Sequence, residues 1–486
     1  MGQNRILLKT ENKTGRKNEM SEKSQAKLLK EKLYLTRKNG ALRLSEEQTK
    51  EVEAYAEAYK KFLDAGKTER EVTATAIAMA EEKGFVPFEY GKKYAPGDRV
   101  YLNNRDKSAI FAVIGTESME NGVNIMASHI DSPRIDLKGR PLYEADELAL
   151  FKTHYYGGIK KYQWTVMPLS LHGVIIRADG SKLTVCIGEE EGDPVFCITD
   201  LLPHLAADQM KRSLSDGIRG EELNILVGSL PFRDDEESER VKLNILNLLY
   251  EKYGIVEADL LSAELELVPA FKAKDIGFDR SMIGSYGHDD RVCAYTSFTA
   301  ALEADHPART LVCVLADKEE TGSSGNTGLE SSYLEYFIAD LAKPFGIEGR
   351  RVLSRSKCLS ADVNAAHDPT FPDVTEKLNT CYLNYGVVIT KFTGSRGKGG
   401  TSDASAEFMS EVLHMLDRNS VIWQTAELGK VDQGGGGTVA KLIANLDVDV
   451  IDVGVPVLSM HAPYEVVSKL DVWATYKAFS AFAKHE

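Results

Sequence analysis

Residues 311–325 read LVCVLADKEETGSSG. Leu311 to Ala316 is an apolar run with β-branched members, closed by a charged turn and by Gly322, Ser323, Ser324 and Gly325. This pattern predicts a short buried strand that ends in a loop. Two adjacent carboxylates, Glu319 and Glu320, stand just beyond the strand end. Neighbouring like charges repel, so a folded chain leaves such a doublet in water or supplies it with a cation. On an isolated polar loop, water is the ordinary answer. Four further stretches of the same build change that weight. VNIMASHIDSP delivers His129 and Asp131, and GHDDRVCAYTSF sets Asp289 and Asp290 before an apolar segment. KCLSADVNAAHDP delivers Asp362, and VPVLSMHAPYE delivers His461.

Apolar runs alternating with helical segments predict an α/β fold. In an open parallel sheet, functional groups gather at the carboxyl ends of the strands, so residues remote in sequence become neighbours. A single histidine at a strand end is ordinarily a hydrogen-bonded structural residue. Five stretches at matching addresses predict one shared pocket. Two imidazoles with three or four carboxylates form a mixed nitrogen and oxygen donor set. Such a set suits zinc, cobalt or manganese better than a thiolate site does.

The 486 residues, 43% hydrophobic and 27% charged, suffice for a large core in two or three domains. The net charge is −14, and no basic stripe with interleaved aromatics occurs, which excludes nucleic acid as the expected partner. No stretch approaches about 18 consecutive apolar residues, so no membrane span is expected. The six cysteines (Cys186, Cys197, Cys293, Cys313, Cys358, Cys381) are scattered with no CxxC pair. They predict buried, reduced thiols in a cytoplasmic protein.

Residues 1–23 are polar and basic and lack the apolar core of about 7–15 residues that a signal peptide needs. They read as a disordered extension. Ser45 with Gln48, and Thr68 with Glu71, have capping-box spacing and open two helices, the first stopped by Gly66. AIFAVIG (109–115) and VNIMAS (123–128), with Asn121-Gly122 between them, resemble a hairpin. From residue 135 to 271 the texture shifts to short β-like runs at 166–176, 182–188 and 263–270, with a helical segment at 243–253 that could bridge back. That shift predicts an inserted, mainly β domain. A helix rich in small and aromatic residues is expected from Asp290 and Arg291. GSRGKGGTSDASAEF (394–408) fails the P-loop spacing and reads as a loop entering a helix, facing substrate or an interface. GGGGT (434–438) reads as a close backbone approach or a turn.

HIDSP, GHDDRVCA, DKEETGS, SADVNAAHDP and MHAPYE, in that order and spacing, resemble the M18 family of metallo-aminopeptidases, the aspartyl aminopeptidase group. The likeness runs from about residue 30 to the C-terminus. More distantly, the chain resembles the M42 and M28 co-catalytic zinc peptidases. The resemblance implies a mixed-sheet zinc-peptidase domain (phosphorylase/hydrolase-like) over 24–134 and 272–486, with a β-rich dimerisation or lid domain inserted at 135–271. It also implies homo-oligomers, tetrahedral dodecamers that enclose the active sites. It assigns His129 and Asp362 to one divalent ion, Glu320 and His461 to a second, and Asp289 to both, zinc being the expected metal. Glu319 would be the general base, and Asp131 would orient the His129 imidazole. The choice of Asp289 over Asp290 rests on the family. His172, in PLSLHG, loosely resembles a histidine that reaches a neighbouring subunit's active site; a buried structural role fits the residue equally.

The implied substrates are peptides with a free N-terminus. Members that prefer acidic N-terminal residues carry a lysine directly after a GPVI-like strand. Here GVVITKF (386–392) puts Thr390 at that place and Lys391 one residue later, which on a strand points to the other face. That departure predicts a broader or neutral/hydrophobic preference. Two alternatives stand beside the aminopeptidase. A deacylase or carboxypeptidase of the same metal chemistry would need a basic clamp such as Arg396 or Lys398. A non-catalytic assembly protein on a peptidase scaffold would have lost ligands or base, whereas all six positions are present.

Overall fold

The computed structural model describes residues 24–233 and 237–485. The extension expected at 1–23 lies outside the described residues. Residues 24–38 and 39–485 belong to separate compact units. In the first, Ser24 accepts the Lys27 N–H and starts a helix over Gln25–Leu33 that buries none of its residues.

The second unit opens with two helices, Glu46–Ala65 and Glu69–Glu82. Each starts on the reciprocal cap its sequence predicts, Ser45 with Gln48 and Thr68 with Glu71. They cover one face of a nine-stranded sheet. Its four central strands, in the order Leu311–Ala316, Asn124–His129, Lys357–Ser360 and Asp449–Gly454, are mutually parallel. Strands buried on both faces read as continuous apolar runs, which is why LVCVLA shows no polar alternation. Phe111, Met126, Cys313 and Leu315 face Tyr59, Val72, Phe298 and Phe479 on one side. Ile110, Ile125, Val312 and Val314 face Phe337, Val352 and Ile443 on the other.

The hairpin expected at Asn121-Gly122 does not form. Ser108–Val113 pairs antiparallel with Leu311–Ala316, and Asn124–His129 pairs with that same strand from its other side. The turn signal reports a chain reversal but not the neighbour, and the central strand inserts between the two. Gly122 sits at φ +87°, where an added Cβ would lie 2.0 Å from the Arg355 carbonyl oxygen, so only glycine fits.

Residues 134–269 contribute a separate seven-stranded sheet that is antiparallel throughout. Its longest strands, Arg134–Ala145 and Leu148–Tyr156, form a hairpin whose turn residues Asp146 and Glu147 both have positive φ. Trp164, Leu169, Phe151 and Leu267 fill its own apolar core. The helix Arg240–Tyr253 packs on this sheet through Val241, Ile245 and Leu249 instead of bridging back. A third, five-stranded sheet orders Lys274–Ile276, Met282–Ser285, Glu465–Ser468, Pro456–Leu458 and Asn364–Ala365. Four cysteines are buried as expected, but Cys197 is half-buried and Cys186 is exposed; none is paired in a disulfide. Among the described residues, no helix is long and apolar enough to cross a membrane.

Candidate metal centre

The parallel strands deliver four of the six expected positions at their carboxyl ends. His129 closes its strand, Glu319 and Glu320 follow Ala316 in a short 3-10 turn, and Asp362 follows Ser360 by two residues. Asp289 and His461 arrive differently. Both hang from the third sheet: Asp289 follows the strand Met282–Ser285, and His461 lies in the connection between Pro456–Leu458 and Glu465–Ser468. Asp289 and Asp290 depart from helical backbone, so the helix proper begins at Arg291, one residue later than expected.

These elements converge on one cluster. Asp289 turns one oxygen to each imidazole: Oδ1 lies 3.3 Å from His129 Nε2, and Oδ2 lies 3.2 Å from His461 Nε2. Asp362 and Glu319 each place an oxygen 3.9 Å from His129 Nε2. Glu320 places one 3.6 Å from His461 Nε2. The other nitrogen of each ring faces a backbone carbonyl. His129 Nδ1 donates to Asp131 O at 3.0 Å, and His461 Nδ1 donates to Gly158 O at 2.8 Å. Such bonds fix the tautomer and aim Nε2 inward.

The electrostatics show what the cluster lacks. Among the described residues, the two imidazoles are the only cationic groups within 4.0 Å of Asp289, Glu319, Glu320 and Asp362. Burial, with neighbouring carboxylates added, pushes Glu320 and Asp362 well above the usual carboxylate range and raises Glu319 as well. Burial also opposes charge on Asp289, but hydrogen bonds from His129 and His461 hold its carboxyl low. Burial would lower both imidazoles, yet the carboxylates around them win. His129 is pushed well above its ordinary value, and His461 up to about 10. Glu320 Oε1 is buried without a hydrogen-bond partner. Three sets of donor atoms (His129, Glu319 and Asp362; His129, Asp289 and Glu320; Asp289, Asp290 and Asp362) lie within 4.8 Å of one another. An acid-rich, desolvated donor set with an orphaned oxygen and inward-facing imidazole nitrogens fits divalent cations.

Two carboxylates brace the cluster from behind. Asp131 accepts the N–H groups of Glu319 at 3.1 Å and Glu320 at 3.2 Å and the Tyr156 hydroxyl at 2.7 Å. Burial opposes its charge, but His129 and then Tyr156 hold its carboxyl low. Glu465 was not among the residues singled out from sequence. It accepts the N–H groups of Asp289 and His461. The MHAPYE motif contains it, but nothing in its spacing shows that it reaches Asp289.

With this geometry in view, comparisons with known proteins point one way. The family model described as aminopeptidase I zinc metalloprotease (M18) matches residues 62–483. A Clostridium acetobutylicum protein named for the M18 family aminopeptidases is 50% identical over 453 residues, covering 92% of this chain and 97% of the relative. The crystal structure of an M18 family aminopeptidase from Thermotoga maritima superposes with a TM-score of 0.89 at 42% identity, covering 93% of this chain and all of that one. The S. cerevisiae mApe1 dodecamer shares the fold at 20% identity, with a TM-score of 0.73 over 89% of this chain and 96% of that one.

Two candidates sit outside the cluster. Lys391 pairs with Asp403 at 2.5 Å, and Lys398 binds the other oxygen of that carboxylate at 2.8 Å. His172 is buried at the junction of the 69–82 helix and the second sheet. Its Nδ1 donates to Glu71 at 2.6 Å and its Nε2 to Ser170 at 2.9 Å and Glu189 at 3.2 Å. Glu71, His172 and Cys186 also group within 4.8 Å, but both ring nitrogens are already engaged. Burial opposes charge on His172; the Cys186 thiol, Glu189 and Glu71 outweigh it and push the imidazole up to about 11. A raised histidine stabilises the fold fully below its ordinary value near 6.5, and that contribution fades as pH climbs to about 11. His172→Gln is therefore expected to lower Tm near neutrality, with the deficit shrinking as pH rises toward about 11. Thermal unfolding across that range checks it, and a deficit independent of pH would count against the ion-paired junction.

Proposed function

The chain belongs to the M18 aminopeptidases, a family of zinc metalloprotease hydrolases, and from that premise we propose that it releases N-terminal residues from peptides at this cluster. The observation that carries the reading is Asp289, whose two oxygens face two imidazoles from different sheets. His129 and Asp362 would hold one ion, His461 and Glu320 the other, and Asp289 would be shared. Two divalent ions there, zinc first and cobalt or manganese as substitutes, would lower the pKa of a shared water and polarise the scissile carbonyl.

Glu319 is the general base in this reading. Burial, then the charges of Asp289 and Asp131, raise its carboxyl, although His129 opposes them. A raised carboxylate accepts a proton more readily and can return it to the departing amine. Its N–H is held by Asp131, so the turn that carries it is anchored while its carboxyl faces the cluster. Asp131 and Tyr156 keep the His129 side of the site in order.

Of the two basic clamps that a carboxypeptidase or deacylase could use, Lys398 is engaged by Asp403, which also binds Lys391, and this leaves Arg396 alone for that reading. The same pairing disfavours Lys391 as the partner of an acidic substrate side chain. Thr390, in the place of the lysine, is buried and accepts a hydrogen bond from Asn364. We therefore assign a broad or neutral/hydrophobic preference.

Residues 135–271 act as an inserted β-rich dimerisation or lid domain in this account, and the assembly is a homo-oligomer, a dodecamer like that of the yeast protein of the same fold. Exposed Leu201, Leu202, Leu205, Met210, Leu214 and Leu230 on that segment support a buried role in an assembly. The six unpaired thiols favour the cytoplasm.

Glu319→Gln is expected to retain metal while losing at least ~10² in turnover, the scale of general-base catalysis. Metal content and steady-state rates measured together check it, and near-normal turnover would remove Glu319 from that role. On a panel of aminoacyl chromogenic substrates, neutral and hydrophobic residues such as leucine should lead. A strong preference for aspartyl or glutamyl substrates would overturn the assignment of specificity.

A further inference from the structure

Glu465 opens the strand Glu465–Ser468, 1% exposed. Its Oε1 accepts the His461 N–H at 2.7 Å, and its Oε2 accepts the Asp289 N–H at 3.0 Å. The two donors lie far apart in sequence, and only this carboxylate joins them directly through their amides among the described contacts. Sheet register explains the reach. Glu465 pairs with Ser285 across the third sheet, so its side chain starts beside the segment leading to Asp289. The loop it clamps on the other side is short and unfavourable. His461 has φ +64°, a left-handed conformation uncommon for residues other than glycine.

We propose that Glu465 is a positioning residue, a two-oxygen clamp that sets the spacing between Asp289 and His461 and hence the pocket they share with Glu320. The inference rests on the reading of Asp289 and His461 as metal ligands. The chemistry demands a carboxylate. Two amide donors need two acceptors, and the isosteric glutamine offers one acceptor and one N–H₂ group, which would face a donor. Asp131 repeats the device on the opposite wall, where its two oxygens receive the amides of Glu319 and Glu320. Each ligand-bearing turn is thus tied by its backbone to a carboxyl group that does not itself have to coordinate.

The test is titration of the metal-free full-length protein with cobalt(II), followed by visible absorption and by metal content after dialysis. Wild type, Glu465→Gln and His461→Ala are compared, with far-UV circular dichroism to confirm folding. Glu465→Gln is expected to bind one equivalent about 10–100-fold more weakly, the usual cost of losing a group that orients a ligand, and to change the cobalt spectrum. Wild-type affinity and spectrum in Glu465→Gln, while His461→Ala loses an equivalent, would overturn the clamp alone. If His461→Ala keeps both equivalents, the ligand assignment falls and the clamp with it. Should Glu465→Gln fail to fold, hydrogen exchange on the metal-free wild type decides. Protected amides at Asp289 and His461 support the clamp, and free exchange at either overturns it.

Discussion

Four carboxylates forced together in a desolvated pocket repel one another, and the fold around them is arranged to tolerate that. The protein supplies no lysine or arginine to Asp289, Glu319, Glu320 or Asp362 within ion-pair distance among its described residues. It supplies two imidazoles and a set of backbone amides instead. Stray cationic side chains would relieve the repulsion but would also compete with a bound ion. Leaving the charge uncompensated by fixed groups keeps the pocket suited to exchangeable cations. The cost appears as raised carboxyls at Glu320 and Asp362 and as an orphaned Glu320 oxygen.

Each layer of the structure serves that convergence. Parallel strands bring His129, Glu319, Glu320 and Asp362 to one edge, and the five-stranded sheet carries Asp289 and His461 over it. The antiparallel sheet contributes as well. The segment that follows its strand Leu148–Tyr156 forms one wall: the Tyr156 hydroxyl reaches Asp131, and the Gly158 carbonyl holds His461 Nδ1. Gly157, at φ +75°, passes so close that an added Cβ would lie 3.3 Å from Glu320 Cβ. The antiparallel sheet and the carboxylate–imidazole cluster are therefore mechanically joined.

Much of this was legible in the residues. LVCVLA reads as a doubly buried strand because both its faces are covered, and both capping boxes declare their helices through purely local bonds. The cluster was legible because its polar residues border apolar runs, His129, Glu319, Glu320, Asp362 and His461 after one and Asp289 before one. Other features depend on information that no local pattern holds. The Asn121-Gly122 reversal looks like a hairpin because a turn cannot name its partner strand. Arg134–Ala145 and Leu148–Tyr156 escaped notice because a sheet with one wet face mixes charged and apolar residues, blurring the signal. Glu465 was invisible because its function lies in sheet register with Ser285. His172, loosely matched by resemblance to a residue of a neighbouring site, is committed to Glu71 and Glu189 within its own chain.

The central claim is that two ions share Asp289. The direct measurement is anomalous diffraction at the zinc edge from crystals of the zinc-loaded protein. Two peaks are predicted, one between His129, Asp289 and Asp362 and one between His461, Asp289 and Glu320. A single peak, or zinc bound away from Asp289, would contradict the account.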